Sequence, residues 1–253
     1  MGMLNITLGY LILCLVAEIA MVRGLLLPSA LLHAGMILAI FGWYGVKYRR
    51  AMPRLPFGLG MISLLRFFSL VLPLELVAPV ARYALVAVPL WAALWLLRRQ
   101  LILSFEALGI RLIRLPQQVW IALSGIPLSL AGYWILRPEP LMPGAGAGAL
   151  VVGVVVLLLC VALTEELLFR GFLLSFAIEE LGYAGVWLSS LIFACLYLGS
   201  GSIGFTAFMG LVGWGFSECT WRSGSIWGVI LAHGLMVTGM GLVWPLIFPL
   251  SLN

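Results

Sequence analysis

Thr164-Glu165-Glu166-Leu167-Leu168-Phe169-Arg170-Gly171 sets three ionisable side chains inside an apolar run that extends from Leu150 to Ile178. If that run is a membrane helix, each charge near the bilayer centre costs ~2.5–3.5 kcal/mol on insertion scales. The whole chain has only nine acidic residues, all of them glutamate. Charges held at that depth face a polar cavity or one another, so this stretch marks an intramembrane site.

Composition places the rest of the chain around that helix. Of 253 residues, 64% are hydrophobic and 9% charged, against roughly 25% charged in a soluble domain. Mean hydropathy is +1.18. The expected fold class is therefore all-α, a polytopic transmembrane helix bundle of eight to nine spans, with the lipid bilayer as its solvent. Fourteen basic residues give a formal charge of +5. Most sit in pairs at the ends of apolar runs, where they set topology, so no nucleic-acid partner is expected. Cys14, Cys160, Cys195 and Cys219 lie in or beside apolar segments without CxxC spacing and read as small buried hydrophobes. The N-terminus lacks a basic n-region and a small-residue cleavage site, so the first apolar run is expected to be a retained span.

A span needs ~20 mostly apolar residues. By that measure nine candidates follow one another, at about Leu4–Val22, Leu25–Val46, Leu59–Val80, Tyr83–Leu97, Val119–Leu136, Ala147–Ala177, Ala184–Leu198, Ile203–Cys219 and Ile226–Leu246. The first two could also form one hairpin broken around Pro28. Lys47, Arg49, Arg50 and Arg54 follow the second span; Arg98, Arg99, Arg111 and Arg114 follow the fourth; Arg222 follows the eighth. Alternating spans put all of these on one side, which the positive-inside rule makes cytoplasmic, together with the N-terminus. A multi-pass protein of the cell (plasma) membrane is the expected localisation. Ser104 to Gln118 alternates apolar and charged residues and reads as a short cytoplasmic interfacial element. Arg137-Pro-Glu-Pro-Leu-Met-Pro-Gly-Ala-Gly-Ala-Gly148 is a Pro/Gly-rich external loop and the best internal boundary. It divides N-terminal transmembrane helices with basic loops (residues 1–143) from a C-terminal core (144–253) that holds the buried polar residues.

Glu166 and Arg170 are four apart with Glu on the N-terminal side, so they meet on one helix face, and bidentate pairing would offset much of their desolvation. Glu165 points about 100° away and has no basic neighbour on its own helix. Its partner must be a second helix, a metal or water. A buried, unpaired carboxylate suits general-base work. Of the two histidines, His233 lies well inside the last span and is the most plausible polar partner for Glu165; His33 in the second span reads as a hydrogen-bonded core residue. Glu179 and Glu180 are expected to cap a surface loop, while Glu18, Glu75 and Arg66 receive no role. Small residues dense from Gly199 to Gly215 and again from Gly224 to Gly241 suit close helix approach.

Glu165-Glu166-x-x-x-Arg170-Gly171 resembles the first motif of the CPBP family (CAAX protease and bacteriocin-processing, also called Abi), whose best-understood members are type II CAAX prenyl endopeptidases. The family pattern is EExxxR, then FxxxH, then HxxxN. Leu188-Ser-Ser-Leu-Ile-Phe-Ala-Cys-Leu196 and Ser223-Gly-Ser-Ile-Trp-Gly-Val-Ile-Leu-Ala-His233 follow in the family's order and separations. The resemblance covers about Ala147 to Gly241 and implies a CPBP-like core in the C-terminal half. It also implies a glutamate-type intramembrane endopeptidase acting on membrane-embedded or lipidated peptides or proteins. Glu165 would activate water, Glu166 and Arg170 would organise the site, and His233 would stabilise the oxyanion or share in polarising the water. The resemblance leaves room for a divalent metal such as zinc, with Glu165 and His233 as the residues to bind it, although a closed zinc site is hard to build from so few imidazoles.

Two positions depart from the pattern. Tyr197 stands where the second motif has His, and Val237 where the third has Asn; Thr238 would restore a hydroxyl only at the wrong helical angle. Both Tyr197 and Val237 are expected at the wall of the site. Losing one oxyanion donor can cost ~2.7–4 kcal/mol of transition-state stabilisation. A catalytically degenerate scaffold or partner-binding protein is therefore the competing reading. A transporter is a weaker one, since no internal repeat of polar helices is present. Substrate identity and oligomeric state are not legible.

Overall fold

A computed structural model describes residues 3–44 and 53–248; the basic cluster Lys47, Arg49 and Arg50 lies outside the described residues. Nine helical rods and no strand are present among the described residues. They are α1 (Met3–Val22), α2 (Leu26–Ile37, running on through a π-helical Leu38–Tyr44), α3 (Leu55–Val71), α4 (Pro79–Gln100), α5 (Leu115–Leu136), α6 (Ala147–Leu181), α7 (Ala184–Leu196, extended by the 3-10 turn Tyr197–Ser200), α8 (Ile203–Ser223) and α9 (Trp227–Ile247). Five of them, α1, α4, α5, α6 and α9, are long and apolar enough to cross a membrane by themselves. Segments of α2, α3 and α7 are apolar but shorter. Large apolar side chains point outward along the bundle, among them Leu27, Leu38, Val151, Ile203 and Leu211, as lipid-facing surfaces require. This is a multi-pass membrane protein.

Each expected span has its helix, with shifts that have local causes. The third was placed at Leu59–Val80, but α3 begins at Leu55 with Pro56 in its first turn and stops at Val71. Pro73 and Pro79 close a short 3-10 turn, Leu74–Leu76, between α3 and α4. Proline is tolerated in a helix's first turn but cannot continue one. The fourth span accordingly starts four residues earlier than expected, at Pro79, and has 22 residues. Between α1 and α2 the chain turns at Gly24 (φ 78°), while Pro28 sits inside the first turn of α2. The left-handed conformation needed there favours glycine.

The segment between α4 and α5, expected to be an interfacial element, is largely an irregular strap. Only Glu106–Leu108 is helical, as a 3-10 turn, and Gln118 already belongs to α5. Gly109 turns the strap at φ 71°, and its carbonyl accepts from Ile226 N at 3.0 Å. Arg111 Nε donates to Gly224 O at 3.3 Å and Arg114 Nη1 to Arg222 O at 2.8 Å. Leu108 tucks in, fully buried, beside Gly171 of α6. Glu179 lies within α6 and pairs with Arg54 at 3.5 Å rather than capping a loop. Tyr183 donates to Glu218, which pairs with Arg222. The basic segments around Arg54, Arg111, Arg114 and Arg222 thus gather at one end of the bundle.

The main hydrophobic cluster draws on both halves of the chain, from Tyr10 and Cys14 through Leu59 and Leu90 to Phe193, Val229 and Met236. Helix α6 runs through it and packs against α3, α4, α7, α8 and α9. The charged stretch is therefore enclosed by five neighbours.

Candidate active site

Helix α6 is not a regular α-helix where it matters. Thr164–Glu166 forms a single α-helical turn bracketed by π-helical stretches, Leu157–Leu163 and Leu167–Leu173. The Thr164 hydroxyl donates to Leu159 O at 3.1 Å, five residues back, and accepts from Trp91 Nε1 of α4 at 2.8 Å. Widened turns of this kind recur at functional sites because they re-aim side chains without breaking the helix.

Glu166 and Arg170 meet as their spacing requires, Nη1 to Oε1 at 2.9 Å, both side chains fully enclosed. The pairing is single, not the bidentate pair considered from the sequence. Arg170 Nη2 turns instead to Gly213 O of α8 at 3.0 Å. Its guanidinium lies over the Phe193 ring at 4.4 Å, with Phe216 and Phe169 at 5.6 and 5.8 Å. Phe rings hold a desolvated guanidinium by their quadrupole. Gly213 permits this approach of α8: a Cβ there would sit 2.9 Å from the Phe193 ring.

His233 does reach the Glu pair, but its hydrogen bond goes to the other member from the one expected. Nδ1 lies 2.8 Å from Glu166 Oε1, while Nε2 stands 4.0 Å from Glu165 Oε2. The rotation of α9 against α6 makes the choice. One oxygen, Glu166 Oε1, therefore serves both Arg170 and His233. An ionised carboxylate only accepts, so Nδ1 donates to Glu166, which leaves Nε2 facing Glu165. Nε2 is buried and has no hydrogen-bond partner among the described residues.

The second-helix partner that Glu165 required is Tyr197, whose hydroxyl donates to Oε2 at 3.1 Å. The glutamate side chain keeps 21% exposure while Glu166, Arg170 and His233 keep essentially none. It lines two adjoining cavities. One, of about 360 Å³, is walled by Arg66, Arg82, Tyr83, Thr164, Phe193 and Tyr197 among others. The second, of about 260 Å³, is walled by Leu141, Met236, Val237 and Met240 together with Tyr83 and Tyr197. Tyr197 and Val237, the two divergent positions, thus share a cavity wall with Glu165. His233 lies behind that wall. Tyr83 and Trp91 were not singled out from the sequence, while Gly213 lies in the small-residue stretch expected to let helices approach. Nothing in a span's own periodicity distinguishes a tyrosine that meets a cavity from one that meets lipid.

Among the described residues no three His, Cys, Asp or Glu side chains are grouped to hold a metal ion. A catalytic zinc takes three protein ligands. Here Glu166 Oε1 is committed to Arg170 and His233, which leaves Glu165, Glu166 Oε2, which has no hydrogen-bond partner among the described residues, and His233 Nε2. They do not form a group able to hold a metal ion, so a three-ligand centre does not fit.

The fold and this site define a multi-pass membrane protein with a carboxylate–imidazole–guanidinium constellation enclosed between helices and opening on a cavity through one glutamate. Residues 147–239, α6 to α9, match the family model described as type II CAAX prenyl endopeptidase Rce1-like. The match lies in the C-terminal half of the chain, where the resemblance of the three motifs placed it. No curated protein and no solved structure matches the chain.

Proposed function

We propose that this protein is an intramembrane endopeptidase of the CAAX type with a modified site, cleaving membrane-embedded or lipidated peptides or proteins. The observation that carries the reading is the setting of Glu165. It is the one acidic member of the cluster that reaches a cavity, with the Tyr197 hydroxyl on Oε2 and His233 Nε2 4.0 Å away. A water hydrogen-bonded to the carboxylate is the nucleophile. Glu165 takes its proton as it attacks the peptide carbonyl, and returns that proton to the departing amine. The Tyr197 hydroxyl, on the wall of the same cavity, is the donor for the oxygen that becomes negative. Glu166 and Arg170 hold the His233 ring so that Nε2 faces Glu165 from behind the cavity wall. A metal plays no step in this scheme.

The protein sits in the cell membrane with its N-terminus on the cytoplasmic side, a reading supported by the basic segments gathered at one end of the bundle. Purified full-length protein in nanodiscs, offered a library of CAAX-like and membrane-derived peptides, is expected to release product, and Glu165→Ala to release none. Product from Glu165→Ala at the wild-type rate would sink the mechanism. The second reading, a catalytically degenerate scaffold, draws on the Tyr197 hydroxyl engaging the would-be base and on Val237 offering no donor. It expects no product from wild type with any peptide.

A further inference from the structure

The mechanism leaves a second buried polar cluster unused. Arg66 of α3 donates from Nε and Nη2 to the two carboxylate oxygens of Glu18 of α1 at 2.6 and 2.7 Å. Glu18 is fully buried and the Arg66 side chain 17% exposed. His33 of α2, also fully buried, stands 3.7 Å from the same carboxylate. A bidentate pair is the strong form of this contact and fixes the guanidinium plane. The pair is neutral as a unit, so it can sit at this depth.

Arg66 also reaches beyond Glu18. Its Nη2 donates to the carbonyl of Leu196, the last residue of α7 before the 3-10 turn. Carbonyls at a helix end lack partners within the helix, and a cation there meets the negative end of the helix dipole. The next residue is Tyr197, and Arg66 and Tyr197 line the same cavity. On the far side, the Thr206 hydroxyl of α8 is shared between Tyr197 O at 3.1 Å and Ser202 O at 3.0 Å. The peptide units flanking the Tyr197 α-carbon are thus held from two helices, one through Arg66 and one through Thr206.

We propose that the Glu18–Arg66 pair is a positioning device for the candidate site: it fixes where α7 stops and so where the Tyr197 hydroxyl meets Glu165. The planar fork is what makes the device work. Nε and one Nη satisfy the carboxylate while Nη2 is shared with the carbonyl, a span that a single ammonium cannot cover. The N-terminal helices thereby contribute to the site without touching the reacting atoms. The catalytic consequence rests on the endopeptidase reading; the geometric claim does not.

The test places 3-fluorotyrosine at position 197 of the full-length protein in nanodiscs and follows its fluorine resonance. Arg66→Lys, which keeps the charge and loses the fork, is expected to move and broaden that resonance. Arg82→Lys lines the same cavity, but the Arg82 guanidinium donates to Val77 O instead, and it is expected to leave the resonance in place. A resonance unmoved by Arg66→Lys in protein that still unfolds cooperatively overturns the proposal. If Arg66→Lys does not fold, Glu18→Gln, which retains the arginine and weakens its anchor, decides by the same readout. In the cleavage assay Arg66→Lys is expected to lower kcat about tenfold, and that loss to vanish in a Tyr197→Phe background. Equal losses in both backgrounds would mean a merely structural role and overturn it. A wild type that cleaves nothing would fail the endopeptidase reading alone, with the fluorine resonance still deciding the positioning claim.

Discussion

Arg170 and Tyr197 carry opposite kinds of information at the residue scale. Arg170 is almost wholly enclosed, shared between one Glu166 oxygen, the Gly213 carbonyl and three phenylalanine rings. Replacing it by methionine leaves Glu166 a buried anion with only an imidazole for company. Arg170→Met is expected to destabilise the protein by about 3–5 kcal/mol, the usual result of removing one partner of a buried pair, as a lowered unfolding midpoint in detergent. Tyr197 bears on activity instead. Its hydroxyl binds the oxygen that a base would use, and phenol is a weaker acid–base partner than imidazole near neutral pH. Tyr197→His is expected to raise cleavage at least tenfold, and Tyr197→His with Val237→Asn further still, since each restored donor is worth on the order of 2.7–4 kcal/mol in the transition state. Initial rates on the best peptide substrate measure this; a fall on restoring both residues would show that the Tyr197 hydroxyl serves this site better than the imidazole.

Helix α6 shows what local pattern can and cannot tell at the element scale. The Glu166–Arg170 contact was legible because it depends only on four residues of one helix. The π-helical stretches on either side were not, because apolar residues such as Leu157 to Leu163 tolerate either hydrogen-bond pattern and packing decides between them. Which glutamate His233 would take was likewise hidden: the two carboxylates differ by one residue, and the answer lies in how α9, 67 residues further on, is rotated against α6. The approach of α8 rests on Gly213. A side chain there would press on Phe193, the ring beneath Arg170. Gly213→Val is expected to cost about 1–3 kcal/mol as an overpacked core substitution; a thermal midpoint unchanged from wild type would show that α8 can withdraw without loss.

The same contrast holds for the whole molecule. Sidedness can be tested on a variant in which Cys14, Cys160, Cys195 and Cys219 are replaced. A single cysteine at Arg99 is expected to react with a membrane-impermeant thiol reagent only after the membrane is opened, and one at Glu139 to react in intact cells. The reverse pattern would invert the topology read from the basic segments. The sequence by itself determined that this chain is a helical membrane protein, roughly where its spans lie, and that Glu165, Glu166, Arg170 and His233 are its unusual residues. Those conclusions follow from transfer free energies and from contacts within one helix, both of which are properties of the chain taken piece by piece. Only the tertiary structure decided that Glu165 finds Tyr197, that His233 turns its free nitrogen toward that carboxylate, and that Glu18 and Arg66 brace the end of α7. Such contacts depend on the rotation and depth of one helix against another. In a bilayer, where nearly every face is apolar, sequence pattern sets neither; close packing and the pairing of buried charge do.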